Sequence, residues 1–155
     1  MPGLEDLYRE IILDHYRTPR NRGELPVPPA RHAEGHNPLC GDEISVFLDI
    51  EEENGVDVVN DVKVTGQGCS ISQSSASMMS QAVKGKSVPE VRALVRKFKG
   101  MMSIDTDGED AQSDADVPLG DLEALQGVVK FPVRIKCATL AWNTLTQALD
   151  APADA

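Results

Sequence analysis

The chain has 155 residues, with 15 Lys and Arg against 25 Asp and Glu and a net charge of −10. That length suits one domain with one core, and 41% hydrophobic with 26% charged residues describes a folded chain in water. The acidic balance repels polyanions and excludes nucleic acid as the expected partner. No run approaches the roughly 18 apolar residues of a membrane span. The opening residues carry Glu5, Asp6, Glu10 and Asp14 where a leader would be basic and then apolar. A cytoplasmic location, with no membrane, is therefore expected.

In chain order, Leu4, Leu7, Ile11 and His15 recur at helical spacing, with Tyr8 and Ile12 beside them, and predict a helix from Gly3 to about Arg17. Thr18-Pro19 ends it, because proline breaks the ladder and restricts the residue before it. Residues 19–40, with Pro19, Pro26, Pro28, Pro29 and Pro38, read as a long irregular loop. From Glu43, Ile44, Val46, Leu48 and Ile50 alternate with Ser45, Phe47, Asp49 and Glu51, the pattern of a strand with one buried face. Asn54-Gly55 predicts a hairpin turn. Val56 to Val64 supplies a returning strand or two, broken near Asn60-Asp61.

Ser70 to Val83 reads as a helix ending at Gly85. Ser87-Val88-Pro89-Glu90 is a capping box with proline in the first turn. It opens a helix to about Lys99 whose buried stripe is Val91, Leu94, Val95 and Phe98. Residues 103–116 are acidic and nearly free of apolar side chains, a solvated loop. Its Asp105, Asp107 and Glu109 lack the central glycine and terminal glutamate of a calcium-binding loop. Leu119 to Gly127 predicts a short helix or turn, and Val128 to Phe131 an extended approach to Pro132. A last helix runs from Val133 to about Leu149, with Ile135, Ala138, Trp142, Leu145 and Leu149 on one face. The tail from about residue 150 is small, acidic and frayed.

The chemistry sits at the cysteines. There are three, Cys40, Cys69 and Cys137, an odd number with no export signal, which argues for reduced thiols over a disulfide framework. Each could be a small buried hydrophobe, yet each has a setting that such a role does not need. Cys40 and Asp42, hinged by Gly41, can turn a thiolate and a carboxylate to one centre. Cys69 follows Gly66-Gln67-Gly68 at a helix start, where amides stabilise a thiolate. Cys137 is expected in the first turn of the last helix, behind Arg134 and Lys136. Three thiolates and one carboxylate make a tetrahedral set suited to zinc, Cu(I) or iron–sulfur chemistry. No C-x-x-C pair is present, so spacing alone leaves the shared site and the separate buried thiols both open.

Longer motifs decide between these readings. Ile12-Leu13-Asp14-His15-Tyr16 with Pro19-Arg20-Asn21-x-Gly23, then Asn37-Pro38-Leu39-Cys40-Gly41-Asp42, run into Gly66-Gln67-Gly68-Cys69-Ser70-Ile71-Ser72 with Ala76-Ser77. Pro132-Val133-Arg134-Ile135-Lys136-Cys137-Ala138-x-Leu140-Ala141-Trp142 completes the series. Taken together and in this order, they resemble the IscU/NifU-like family of iron–sulfur cluster assembly proteins. Scaffold-type members carry histidine where this chain has Lys136 and have a shorter stretch between the second and third cysteines. Both departures resemble the zinc-dependent SufU branch.

The resemblance implies that Cys40, Asp42, Cys69 and Cys137 hold one Zn²⁺. It also implies that Cys40 accepts sulfur from the persulfide of a SufS-type cysteine desulfurase, leaving the metal while a desulfurase histidine takes its place. The sulfur then passes to downstream cluster-assembly machinery. This makes the protein a sulfurtransferase-like carrier and activator that does not turn over alone. Arg134 is a candidate partner contact or a charge-balancing group. His15 is expected to pack or hydrogen-bond near the N-terminal loop, and His32 and His36 to be solvated. Met78, Met79, Met101, Met102 and Trp142 are expected in the core.

The implied fold is α+β: a small three-stranded antiparallel sheet packed against several helices, with the metal site at an exposed end. Residues 1–155 are expected to form one domain, with an insertion at about 86–121. A rival reading keeps the same four residues but makes them a scaffold for a [2Fe–2S] cluster. A third, a hydrolase using zinc-bound water, needs an open position that four protein ligands do not leave. Gain of hydrolysis on replacing Asp42 by Ala would favour it.

Overall fold

The computed structural model of the chain describes residues 2–27, 30–38, 41–102 and 120–150, with side chains from residue 8 onward except that of residue 129. Cys40, the acidic loop expected at 103–116 and the tail after Asp150 lie outside these residues. The sheet has three antiparallel strands in the order β1 (Arg31–Asn37), β2 (Asp42–Glu53) and β3 (Val56–Gln67). Around it lie α1 (Pro2–Arg17), α2 (Ser70–Val83), α3 (Val88–Met101), a 3₁₀ segment (Gly120–Lys130) and α4 (Pro132–Asp150). The α+β expectation holds, with one strand found where a loop is expected.

That strand is β1, which runs through the stretch read as loop and pairs Arg31 with Leu48 and Asn37 with Asp42. Its sequence, Arg-His-Ala-Glu-Gly-His-Asn, lacks the β-branched alternation that marks a strand. Gly35 lies there because α4 crosses β1 closely, and a Cβ at this position would overlap the Thr144 hydroxyl. The returning chain forms a single strand, β3, with the interruption near Asn60 resolved as a bulge. Asp49 pairs with Asp61 and Ile50 with Val59, so Asn60 is the extra residue of a bulge. The bulge resets the phase, so Val59, Val62 and Val64 all reach the core although their spacing is irregular.

Asn54 (φ 52°) and Gly55 (φ 81°) make the left-handed turn between β2 and β3. The outer edge of β3 is covered by irregular chain. Val64 donates to Asn21 O and accepts from Gly23 N, and Val59 exchanges bonds with Gly85 and Lys86. Both segments remove free edge groups that would otherwise invite pairing with another chain.

α4 packs on β1 and β2, α2 packs on β3, and α1 covers α2 and the 3₁₀ segment. Trp142 is wholly buried, stacks on Phe98 with ring centroids 4.4 Å apart, and donates from Nε1 to Ser75 Oγ at 3.1 Å. Met78, Met79 and Met102 are buried, and Met101 is partly buried against them. The capping box at Ser87 and Glu90 forms as the sequence predicts. The bonds from Ser87 hold the Glu90 carboxyl below its ordinary range. Residues 128–130 are helical and not extended. Leu122, Leu125 and Val128 are buried at every third position, which is the repeat of a 3₁₀ turn.

The serines of α2 are structural. Ser77 Oγ lies 2.8 Å from His15 Nδ1 and accepts from Arg20 N at 2.9 Å. His15 Nε2 lies 2.9 Å from Asp121 Oδ2. With the His15 proton on Nε2, every group is satisfied: Asp121 accepts, and Ser77 donates to Nδ1 while accepting from Arg20. The fully buried His15 thus ties α1 to α2 and to the 3₁₀ segment. His15→Leu should lower the stability of metal-free protein by about 1–3 kcal/mol, because the buried Ser77 hydroxyl loses its acceptor and the Asp121 carboxylate its donor. Urea unfolding followed by circular dichroism measures this, and an unchanged midpoint would show that the relay carries no stability.

Candidate metal centre

Four chain segments meet at one end of the sheet. The β1–β2 connection ends at Asp42, β3 ends at Gln67, α2 starts at Ser70 and α4 starts at Pro132. Each brings a residue type that the sequence singles out. Asp42 opens β2 opposite Asn37 and is 1% exposed. Its Oδ1 accepts from the Cys69 amide at 2.9 Å, and its Oδ2 lies 4.0 Å from Cys69 Sγ.

Cys69 is the N-cap of α2, where its sulfur accepts from Ser72 N at 3.5 Å. An N-cap normally uses an oxygen for this bond. Here the helix terminus directs an amide and its positive dipole end at a sulfur instead. The approach depends on glycines. Gly66 has φ +147° and Gly68 φ +154°, and a Cβ on them would overlap Glu43 O and Asp42 Oδ1 respectively. No larger residue lets β3 turn so closely past the Asp42 carboxylate.

Cys137 is wholly buried. α4 begins at Pro132, with Phe131 O accepting from Arg134 N and Ile135 N. Cys137 therefore lies in the second helical turn, not the first. Proline at the first helical position lacks an N–H that would have no partner there, which is why the helix starts earlier than the apolar pattern shows. One donor of the Asn37 amide is 3.6 Å from Cys137 Sγ.

Asp42, Cys69 and Cys137 thus converge, with one donor atom from each lying within 4.8 Å of the others, and as a group they could hold a metal ion. Cys40 lies outside the described residues, so its position relative to them is not part of this geometry. The residues present fit zinc. Tetrahedral Zn–S and Zn–O bonds of about 2.3 and 2.0–2.2 Å space the donors by about 3.5–3.8 Å, so the group needs to contract by about 1 Å. The buried Asp42 carboxylate takes part in none of the ion pairs among the described residues, and a buried charge needs a counter-charge or a metal. Two sulfurs with one oxygen favour a thiophilic ion over magnesium or calcium.

Arg134 is exposed on the first turn of α4. It lines a groove of about 840 Å³ between α1, the start of α2 and the 3₁₀ segment, together with Arg9 and Lys130. Lys136 is exposed and shares a smaller recess with His36 and Asn37. His32 and His36 are on β1, not in a loop. His36 is exposed, but His32 stacks on Phe47, its cross-strand neighbour, with centroids 4.4 Å apart. His32 Nε2 has no hydrogen-bond partner, and Glu34 Oε1 is 3.7 Å away. Neither histidine joins the Asp42, Cys69 and Cys137 group. Two contributors escaped the sequence reading: Asn37, hidden by the unrecognised β1, and Asp121 on His15.

Known proteins share this arrangement of sequence and fold. Residues 7–138 match the model of the NifU-like N terminal domain family. The chain is 44% identical to the zinc-dependent sulfurtransferase SufU of Bacillus subtilis (strain 168), over 95% of this chain and 92% of that one. It is 40% identical to the iron–sulfur cluster assembly scaffold protein IscU of Streptococcus pyogenes serotype M1, over 98% and 88% of the two chains. The crystal structure of FiSufU from Fervidobacterium islandicum AW-1, provisionally described as a SUF-system cluster assembly scaffold, superposes with a TM-score of 0.72. It has 30% identity and covers 95% of this chain and 99% of that one. With most of its length inside one family model and relatives this similar from end to end, the chain belongs to the family of NifU-like N-terminal domains.

Proposed function

We propose that this protein is a zinc-dependent sulfur-transfer protein of iron–sulfur cluster assembly, taking persulfide sulfur from a SufS-type cysteine desulfurase onto Cys40 and passing it on. The observation that carries this reading is the convergence of Asp42, Cys69 and Cys137, on a chain so similar to a protein named as a zinc-dependent sulfurtransferase. Cys40 stands two residues before Asp42 in the sequence, a reach of at most about 7 Å, which makes it the natural fourth ligand.

Zinc, when bound, supplies positive charge that keeps thiols ionised and ties together segments distant in sequence. The chain's own residues do the rest. Asp42, Cys69 and Cys137 are anchored by a strand and two helices, whereas Cys40 belongs to the connection between β1 and β2. In the sequence the reactive thiol thus stands between two strands, two residues before the anchored Asp42. The Cys40 thiolate attacks the outer sulfur of the desulfurase persulfide. A new S–S bond forms on Cys40, the S–S bond on the desulfurase breaks, and the desulfurase cysteine leaves as a thiolate. No oxidant or reductant is consumed. Arg134, exposed on the helix that carries Cys137 and lining the groove with Arg9 and Lys130, is the proposed contact for the desulfurase.

The same donors would suit a scaffold for a [2Fe–2S] cluster, and the Streptococcus relative is named an iron–sulfur cluster assembly scaffold protein. Metal and acid-labile sulfide analysis of anaerobically purified protein separates the two. Zinc at one per chain, without sulfide or visible absorption, is the expected result. A coloured protein with iron and sulfide in equal amounts would replace the transfer reading by the scaffold.

A further inference from the structure

We propose that Asn37 is a positioning residue for the metal centre, its side-chain amide holding Asp42 and Cys137 in ligating geometry; this rests on the zinc reading above. Asn37 is the last residue of β1 and is 6% exposed. Its Nδ2 lies 3.4 Å from Asp42 Oδ2 and 3.6 Å from Cys137 Sγ. One NH₂ group has two N–H donors, and here they fork to a carboxylate oxygen on β2 and a sulfur on α4.

The two oxygens of Asp42 are thereby given different tasks. Oδ1 is taken by the Cys69 amide. Oδ2, toward which Asn37 donates, is the oxygen 4.0 Å from Cys69 Sγ and faces the thiols. The Cys69 and Asn37 donors together fix the carboxylate plane and leave Oδ2 as the ligating atom. An amide is suited to this position because it donates to both anionic ligands without carrying charge. A lysine or arginine would neutralise Asp42 and compete with the ion, while an apolar side chain would leave both ligands to reorient. Three ligands are then set by β1, β2, α2 and α4, without reference to Cys40. Hydrogen bonds behind metal ligands typically carry roughly 10- to 100-fold in affinity.

The test uses the full chain carrying Asn37→Leu, close in size but without donors, and Asn37→Ala. Zinc-loaded proteins are mixed with a colorimetric chelator, and the cobalt(II)-substituted proteins are examined by visible absorption. Both variants should release zinc roughly 10- to 100-fold faster than the parent, with shifted cobalt d–d and thiolate charge-transfer bands. Their metal-free melting temperatures should stay near that of the parent. Parent-like release and cobalt bands in whichever variant folds would overturn the assignment. Metal-free unfolding with parent-like release from the folded fraction would overturn it too, making Asn37 a strand-end residue only. A parent protein that binds neither zinc nor cobalt would bring down the zinc reading itself, and with it this proposal.

Discussion

Cys40→Ser should bring sulfur uptake from a cysteine desulfurase to background while leaving the protein folded. Attack on a persulfide requires a nucleophile that is ionised near neutral pH and soft enough to form an S–S bond. A thiolate meets both conditions and a serine hydroxyl meets neither. The remaining donors are unaffected by the change, because Asp42, Cys69 and Cys137 are placed by β2, α2 and α4 and gather within 4.8 Å without reference to Cys40. The variant should therefore still take up zinc, more weakly.

Cys69→Ser and Cys137→Ser should behave differently. Each removes a ligand fixed in the fold, so zinc and thermal stability should fall together, since metal affinity here is also folding free energy. Feeding the desulfurase ³⁵S-cysteine and running the products on a non-reducing gel reads the acceptor directly. Normal labelling of Cys40→Ser would show that sulfur arrives elsewhere on the chain.

That prediction draws on features visible in the sequence, and its limits follow the same line. The helices were legible because their signals are local: the Ser87–Glu90 capping box, the stripe Val91, Leu94, Val95 and Phe98, and the face of α4 around Trp142. β1 was not. His32, Ala33, Glu34 and Gly35 have no strand alternation, and what makes them a strand is pairing with the strongly patterned β2 and the crossing of α4 over Gly35. Tertiary context overrode propensity there. Asn60 left the sequence open between one returning strand and two, because a bulge breaks the alternation without ending the strand.

The candidate site shows the same division. Its ligand types could be named because cysteines in this chain are few and sit in specific motifs. Asn37 could not be singled out without β1, since its value lies in facing Asp42 across the hairpin end. Asp121 could not be matched to His15, because nothing in either local sequence points to a partner so far along the chain.

Gly68→Ala should cost this protein its metal while leaving it able to fold. Two effects add at this position. The backbone lies at φ +154°, a region that side chains rarely adopt, with a penalty of about 1–3 kcal/mol. The new methyl group would also overlap Asp42 Oδ1 and crowd Ser72 Oγ. Asp42 Oδ1 is the oxygen held by the Cys69 amide, so the carboxylate and the turn before Cys69 must move apart. Both are ligating residues of the proposed centre, and zinc affinity should fall by at least the roughly 10- to 100-fold seen when support behind a ligand is lost.

Gly55→Ala separates strain from site damage. It also imposes a positive φ, +81°, but at the far hairpin end, where a Cβ meets nothing within 4 Å. Gly55→Ala should lower the metal-free melting temperature through strain alone and Gly68→Ala by more, because of the added overlap, and only Gly68→Ala should lose zinc in a chelator competition. Equal zinc retention in both would mean that the carboxylate has room to retreat and that Gly68 serves the turn alone. Loss in Gly68→Ala alone would tie the Gly-x-Gly turn to the ligand sphere, through a contact that only the absence of a side chain permits.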